Sequence, residues 1–164
     1  MKLDAMDEAS ARAALARCCG ATRWVEGMLS RRPLGPRWRE EAREAWAEMA
    51  RTDILEAFDH HPRIGANIDA LRERFARSHD LSESEQAGVT GASEEVLGRL
   101  RDANVAYEAR FGHIFIVCAT GKSAKEMLDL LEARMANAHD LELTIAAAEQ
   151  MKITEIRLRD LEQS

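Results

Sequence analysis

What this chain lacks narrows it first. No apolar run approaches the roughly 20 residues that a membrane helix needs. The N-terminal MKLDAMDEAS contains no apolar stretch that could act as a signal peptide. Cysteine is scarce: Cys18, Cys19 and Cys118 form an odd set without CxxC spacing. That argues against a disulfide framework or a zinc site and for a reduced, cytoplasmic protein. The adjacent pair reads as two small apolar side chains at a helix end. Basic charge is short as well. A net charge of -6 disfavours nucleic acid, which wants a basic face, although an arginine-lined pocket for a small anion stays open. Extended-looking sequence occurs in one place only, HIFIVCA. Internal repeats, low-complexity tracts and linkers are absent.

What is present reads as helix after helix. With 164 residues, 46% of them apolar, the chain is expected to form one domain, 1–164, around one substantial core. DEASARAALARCC stops at Gly20, a natural helix-end residue. TRWVEGML is broken by RRPLGP. RWREEAREAWAEMA puts Ala42, Ala45, Trp46 and Met49 on one face. TDILEAF has Thr52 or Asp53 as a plausible cap. NIDALRERFARS follows, capped by Asn67. SESEQAGV carries Ser82 and Glu85 at capping-box spacing. SEEVLGRLRDANVAYEARF then repeats Val96, Leu100, Ala103, Tyr107 and Phe111 as a helical stripe. SAKEMLDLLEARM is capped by Ser123. A final helix runs from His139 to about Leu161, its apolar face traced through Leu141, Ile145, Ala148 and Met151. The expected fold is all-α: a single-domain bundle of about seven to nine helices with one short extended segment.

The chemistry-bearing residues start with FDHHPRIGAN. Proline disfavours helical geometry in the residue before it, so His61 is pushed out of the helical ladder by Pro62. Its side chain can then project into a cleft, where an imidazole suits acid/base work near neutral pH. The bland alternative is a helix-ending histidine that satisfies a carbonyl. Glu85 could orient or charge His61, or simply cap its own helix. The turn ATGKS resembles a phosphate loop, but Phe115 stands where the first glycine is required, so a nucleotide site is rejected. Of Arg157 and Arg159, one entering a pocket would clamp a carboxylate or ureido carbonyl; otherwise both are solvated. His79, His113 and His139 show no ligand spacing, and no metal is assigned.

In order along the chain, RWV…RRP, HHPRIG, SESEQAGV, NVAYEARFGHIFIVCATGKS and KITEIRLRDL resemble the 2-oxo-4-hydroxy-4-carboxy-5-ureidoimidazoline (OHCU) decarboxylase family of urate degradation. The resemblance covers nearly the whole chain, and no matched position departs from the pattern. It implies an all-α fold, usually a homodimer, with no metal or organic cofactor, that converts OHCU to (S)-allantoin and carbon dioxide. It assigns the catalytic histidine to His61 and not His60, followed by Pro62. The substrate-contacting S-x-x-E-Q segment falls on Ser82, Glu85 and Gln86. The pocket-lining extended segment falls on Phe115, Ile116, Val117, Cys118 and Ala119, and the terminal arginine on Arg157. Two alternatives stand beside it. A pterin carbinolamine dehydratase-like enzyme also carries a histidine pair before proline, but on a chain with several strands. A non-catalytic helical interaction module could carry the same fold.

Overall fold

The computed structural model describes residues 1–62 and 83–163, with side chains described except at 83–93. The expected NIDALRERFARS helix, its Asn67 cap and Ser82 lie outside the described residues. Within them the chain is all-α, with eight α-helices, one 3-10 turn and no strand. The helices are α1 (Lys2–Ala5), α2 (Glu8–Cys18), α3 (Thr22–Ser30), α4 (Trp38–Ala47), α5 (Arg51–Asp59), α6 (Glu83–Phe111), α7 (Ala124–Arg134) and α8 (His139–Gln163). The several strands that a pterin dehydratase-like chain would need are missing among the described residues. None of the described helices is long and apolar enough to cross a membrane. The chain divides into two compact units, residues 1–61 with 145–164 and residues 62–144.

In the first unit, α3 packs against α2, α4 and α5. Alanines at 11, 14, 42 and 45 keep the contact faces thin, and Trp24, Leu15, Met28 and Leu158 fill the space between. Trp24 is fully buried, and its indole N–H donates to the Ala42 carbonyl at 3.1 Å. A buried indole needs such an acceptor. Asp7 caps α2 by accepting from Ser10 N at 2.9 Å. The cap of α5 differs from expectation. Ala50 is the N-cap, and Asp53 sits at the third helical position, where its carboxylate accepts from Ala50 N at 2.8 Å. Alanine offers no side-chain acceptor to the first-turn N–H groups; Asp53 instead ties down the N–H of Ala50 itself.

The second unit is built on α6 and α7. The two segments SESEQAGV and SEEVLGRLRDANVAYEARF join into the single helix α6, running through Gly91 without a break. Its stripe is as expected: Leu100, Tyr107 and Phe111 are buried, with Val96 and Ala103 packed beside them. Gly112, at φ +75°, ends it, as glycine can in the left-handed region. Ser123 caps α7 in a capping box with Glu126: Ser123 N donates to Glu126 at 2.8 Å, and Glu126 N donates to Ser123 Oγ at 3.2 Å.

The final helix corrects the sequence reading. Leu141 is 53% exposed and Ala148 is exposed. Of the expected face, Met151 is buried and Ile145 partly so, but the main buried row is Glu142, Ala146, Gln150, Thr154 and Leu158. The four-residue spacing puts these on one face, but three are polar, so apolar periodicity could not find them. Each has partners. Glu142 accepts from Arg134 Nε at 2.7 Å, from Asn137 Nδ2 at 2.7 Å and from the Tyr107 hydroxyl. Burial alone would raise the Glu142 carboxyl, but these donors outweigh it and hold it below the usual carboxylate range.

The Arg134–Glu142 pair is buried, so removing one partner strands the other. Arg134→Met should cost about 3–5 kcal/mol in a urea titration. A cost below about 1 kcal/mol would show that water reaches the pair. The folded Glu142 carboxyl titrates below its unfolded value, so the unfolded state binds more protons in that window. Its contribution is complete above the unfolded value and is lost as pH falls toward the folded one. The urea midpoint should therefore drop more steeply between about pH 6 and about pH 3 in wild type than in Glu142→Gln.

Candidate active site

The two histidines separate cleanly. Helix α5 ends at Asp59, with His60 as its cap in helical geometry. His60 Nδ1 lies 2.9 Å from the Glu56 carbonyl. The helix-ending role that could have belonged to His61 is therefore filled by His60. His61 stands past the helix, with its N–H donating to the Phe58 carbonyl at 3.0 Å. Its half-buried ring turns to α8, where Nε2 meets Gln150 Oε1 at 2.6 Å. The departure from the ladder expected before Pro62 is what allows this reach.

Gly20 has a different role from the one expected. Cys19, in extended geometry, already ends α2. The glycine is required by close approach: a Cβ there would lie 2.2–2.5 Å from the His60 ring and its Cβ. The His60 ring fills the space a side chain would occupy.

Arg157 belongs to the same unit. One nitrogen, Nη1, donates to the Cys18 carbonyl at 3.2 Å and the Arg17 carbonyl at 3.4 Å. Those carbonyls end α2, where a cation is favoured. Arg159 is exposed, beside Asp160. Burial, followed by the Arg157 charge, pushes His61 below the ordinary histidine value; the Gln150 bond opposes this and His60 adds to it. Burial and the Arg157 charge thus favour the neutral imidazole, the form able to accept a proton. The buried Cys18 and Cys19 are pushed up to about 11 by desolvation and remain thiols, not nucleophilic thiolates.

The extended segment lies in the second unit. Phe115, Ile116, Val117 and Cys118 are buried and without regular structure, and Ala119 is partly buried. Arg134 holds the segment in place: Nη1 donates to the Ile116 carbonyl at 2.8 Å, and the guanidinium lies 4.7 Å over the Phe115 ring. Lys122 Nζ donates to the Cys118 carbonyl at 2.8 Å. With no strand beside it among the described residues, the segment has carbonyls met by side chains instead.

A family model for OHCU decarboxylase matches residues 4–159. The chain belongs to the OHCU decarboxylase family. It is 40% identical over 147 residues to the uric acid degradation bifunctional protein TTL of Arabidopsis thaliana, covering 88% of this chain and 45% of that protein. It is 35% identical over 93 residues to 2-oxo-4-hydroxy-4-carboxy-5-ureidoimidazoline decarboxylase of Amia calva, covering 57% of this chain and 53% of that one. The matches thus span about half the length of these curated relatives. A crystal structure of OHCU decarboxylase in the presence of (S)-allantoin superposes with a TM-score of 0.72 at 37% identity, covering 91% of this chain and 96% of that one. A crystal structure of (S)-allantoin synthase, at 16% identity and TM-score 0.67, shares the fold, with 97% of this chain and 52% of that one covered.

Among the family positions expected from sequence, His61 and Arg157 come together in the first unit, with Pro62 directly following His61. Glu85 and Gln86 lie in the backbone of α6, with side chains outside the described set. Sequence reading missed Gln150. A lone glutamine in EQMKITEIRL gives no signal, and only its burial against His61 marks it.

Gly20→Ala tests the contact behind the histidines. Overpacking should cost about 1–3 kcal/mol of stability, and the His60 ring resonances should shift in the NMR spectrum. Unchanged stability with an unmoved His60 would show that the ring and Gly20 do not touch in solution.

Proposed function

We propose that this chain is a cofactor-independent carboxy-lyase that converts OHCU to (S)-allantoin and carbon dioxide in purine catabolism. The observation that carries the reading is His61, a neutral imidazole released from its helix, anchored through one nitrogen and standing near Arg157. Family membership across 4–159 supports the substrate. So does the similarity to relatives whose names describe this decarboxylation.

The chemistry suits these residues. Breaking the bond to the carboxylate leaves an electron pair on the ring carbon that bears the hydroxyl. The adjacent carbon–nitrogen double bond takes up that pair, so no external electron sink is required. Its nitrogen gains a proton from solvent, giving an enol. Ketonisation then moves a proton from the hydroxyl oxygen to the neighbouring carbon that carries the ureido group. Delivery to one face makes the product chiral. In this reading His61 takes the hydroxyl proton and returns it to carbon. Arg157 holds the anionic or carbonyl end, and Glu85 with Ser82 and Gln86 holds the ureido group or orients the imidazole. Phe115 to Ala119 line the pocket with backbone groups, and Pro62 sets the turn. Positioning and acid/base help of this kind supply about 10²–10⁴-fold from the proton transfers alone, with several kcal/mol more from orientation.

The family model runs across both units, which supports reading 1–164 as one functional domain. We further propose a cytoplasmic homodimer, the compartment consistent with three buried cysteines outside any disulfide.

The test uses OHCU made in situ from urate by urate oxidase and hydroxyisourate hydrolase, with the chirality of the product followed by circular dichroism. Wild type should form (S)-allantoin faster than the spontaneous decay to racemate. His61→Ala should abolish this with the fold intact, and His60→Ala should lose far less. Equal small losses would remove His61 from the chemistry. A folded wild type that gives no acceleration would favour the non-catalytic module. Because the neutral form of His61 accepts the proton, kcat/KM should fall on the acid side with an apparent pKa below about 6.5. An acid limb above that value would contradict the neutral resting imidazole.

A further inference from the structure

Gln150 is 0% exposed and Thr154 is 1% exposed, so water does not compete for their bonds. The Thr154 hydroxyl has one proton, and it donates that proton to the Gln150 backbone carbonyl at 3.0 Å. Its oxygen can then only accept, and Gln150 Nε2 donates to it at 3.1 Å. The amide is thereby oriented, with its NH₂ toward Thr154 and its oxygen toward His61. Reversing it would set two lone-pair-bearing oxygens against each other in a buried site, or cost Thr154 its bond to the Gln150 carbonyl. A carbonyl oxygen 2.6 Å from His61 Nε2 can only accept, so Nε2 must carry the proton. The Cys19 thiol also lies against Thr154, in a contact that lowers its pKa; a hydroxyl that shares its one proton with that sulfur still has only lone pairs to offer Gln150 Nε2. Among the described residues, the charged and titratable groups that act on His61 are Arg157 and His60.

We propose that Gln150, oriented by Thr154, locks His61 in the Nε2–H tautomer and so makes Nδ1 the nitrogen that exchanges protons with the substrate. The inference rests on His61 being the catalytic base. Gln150 and Thr154 are positioning residues. When Nδ1 takes the hydroxyl proton, the ring becomes an imidazolium. Its Nε2–H···O bond to Gln150 becomes charge-assisted and strengthens, which favours the transition state over the resting state. A carboxylate at position 150 would also hold Nε2–H, but it would charge the ring before substrate arrived. A neutral amide orients the ring without protonating it.

The experiment is ¹⁵N NMR of the histidine ring nitrogens in the full chain, with the His61 signals assigned by their loss in His61→Ala. Wild type should show the Nε2–H tautomer at pH above its titration. Thr154→Val removes the hydroxyl with little change of volume. It should give a mixture of tautomers and lower kcat by about ten- to a hundredfold with KM little moved. Thr154→Ser should recover most of that loss. Gln150→Glu should keep the Nε2–H tautomer but move the acid limb of kcat to higher pH. An Nδ1–H tautomer in wild type overturns the proposal, whether or not any variant folds. So does a folded Thr154→Val that keeps both tautomer and kcat. If wild type shows the Nε2–H tautomer yet does not turn over OHCU, the locked imidazole stands and the substrate assignment fails, so the two readings fail separately.

Discussion

A polar side chain taken out of water must find a partner, and the last helix buries three on one face. That requirement organises what lies around α8. Glu142 draws Arg134, Tyr107 and Asn137 to itself. Arg134 in turn holds the Ile116 carbonyl and covers the Phe115 ring, so the extended segment keeps its course with no strand beside it among the described residues. Further along the same row, Thr154 orients Gln150 and Gln150 holds His61. Glu142 thus supports the irregular segment within the second unit, and Gln150 with Thr154 supports the imidazole within the first.

The histidine pair shows how one backbone break divides two identical side chains. His60 still obeys the helix and gives its ring to the Glu56 carbonyl, wedged where Gly20 has no side chain. His61, one residue on and before proline, leaves the helix and crosses to α8. Burial and the nearby Arg157 charge keep it neutral. Nothing in the chemistry of the residues distinguishes them; their places relative to the end of α5 do.

Where local chemistry decides, sequence reading served well. The apolar stripe of α6 and the Ser123 cap of α7 both follow from spacing and from residue type. It failed where a side chain answers to a distant partner. The joining of two expected segments into α6 was missed because Gly91 lowers helix propensity without forbidding a helix. Gly20 looked like a helix-end residue, but its reason is His60, forty residues away in the chain.

The sequence by itself determined the all-α class, most helix boundaries, the exit of His61 from its helix and, through ordered motifs, the family. These depend on backbone preferences and neighbours within a turn or two. Only the tertiary structure decided which face of α8 is buried, and that Gln150 and Thr154 back the imidazole. A buried polar row has no apolar period to read. Its stability comes from hydrogen bonds to residues such as Arg134 and His61, and folding alone brings those within reach.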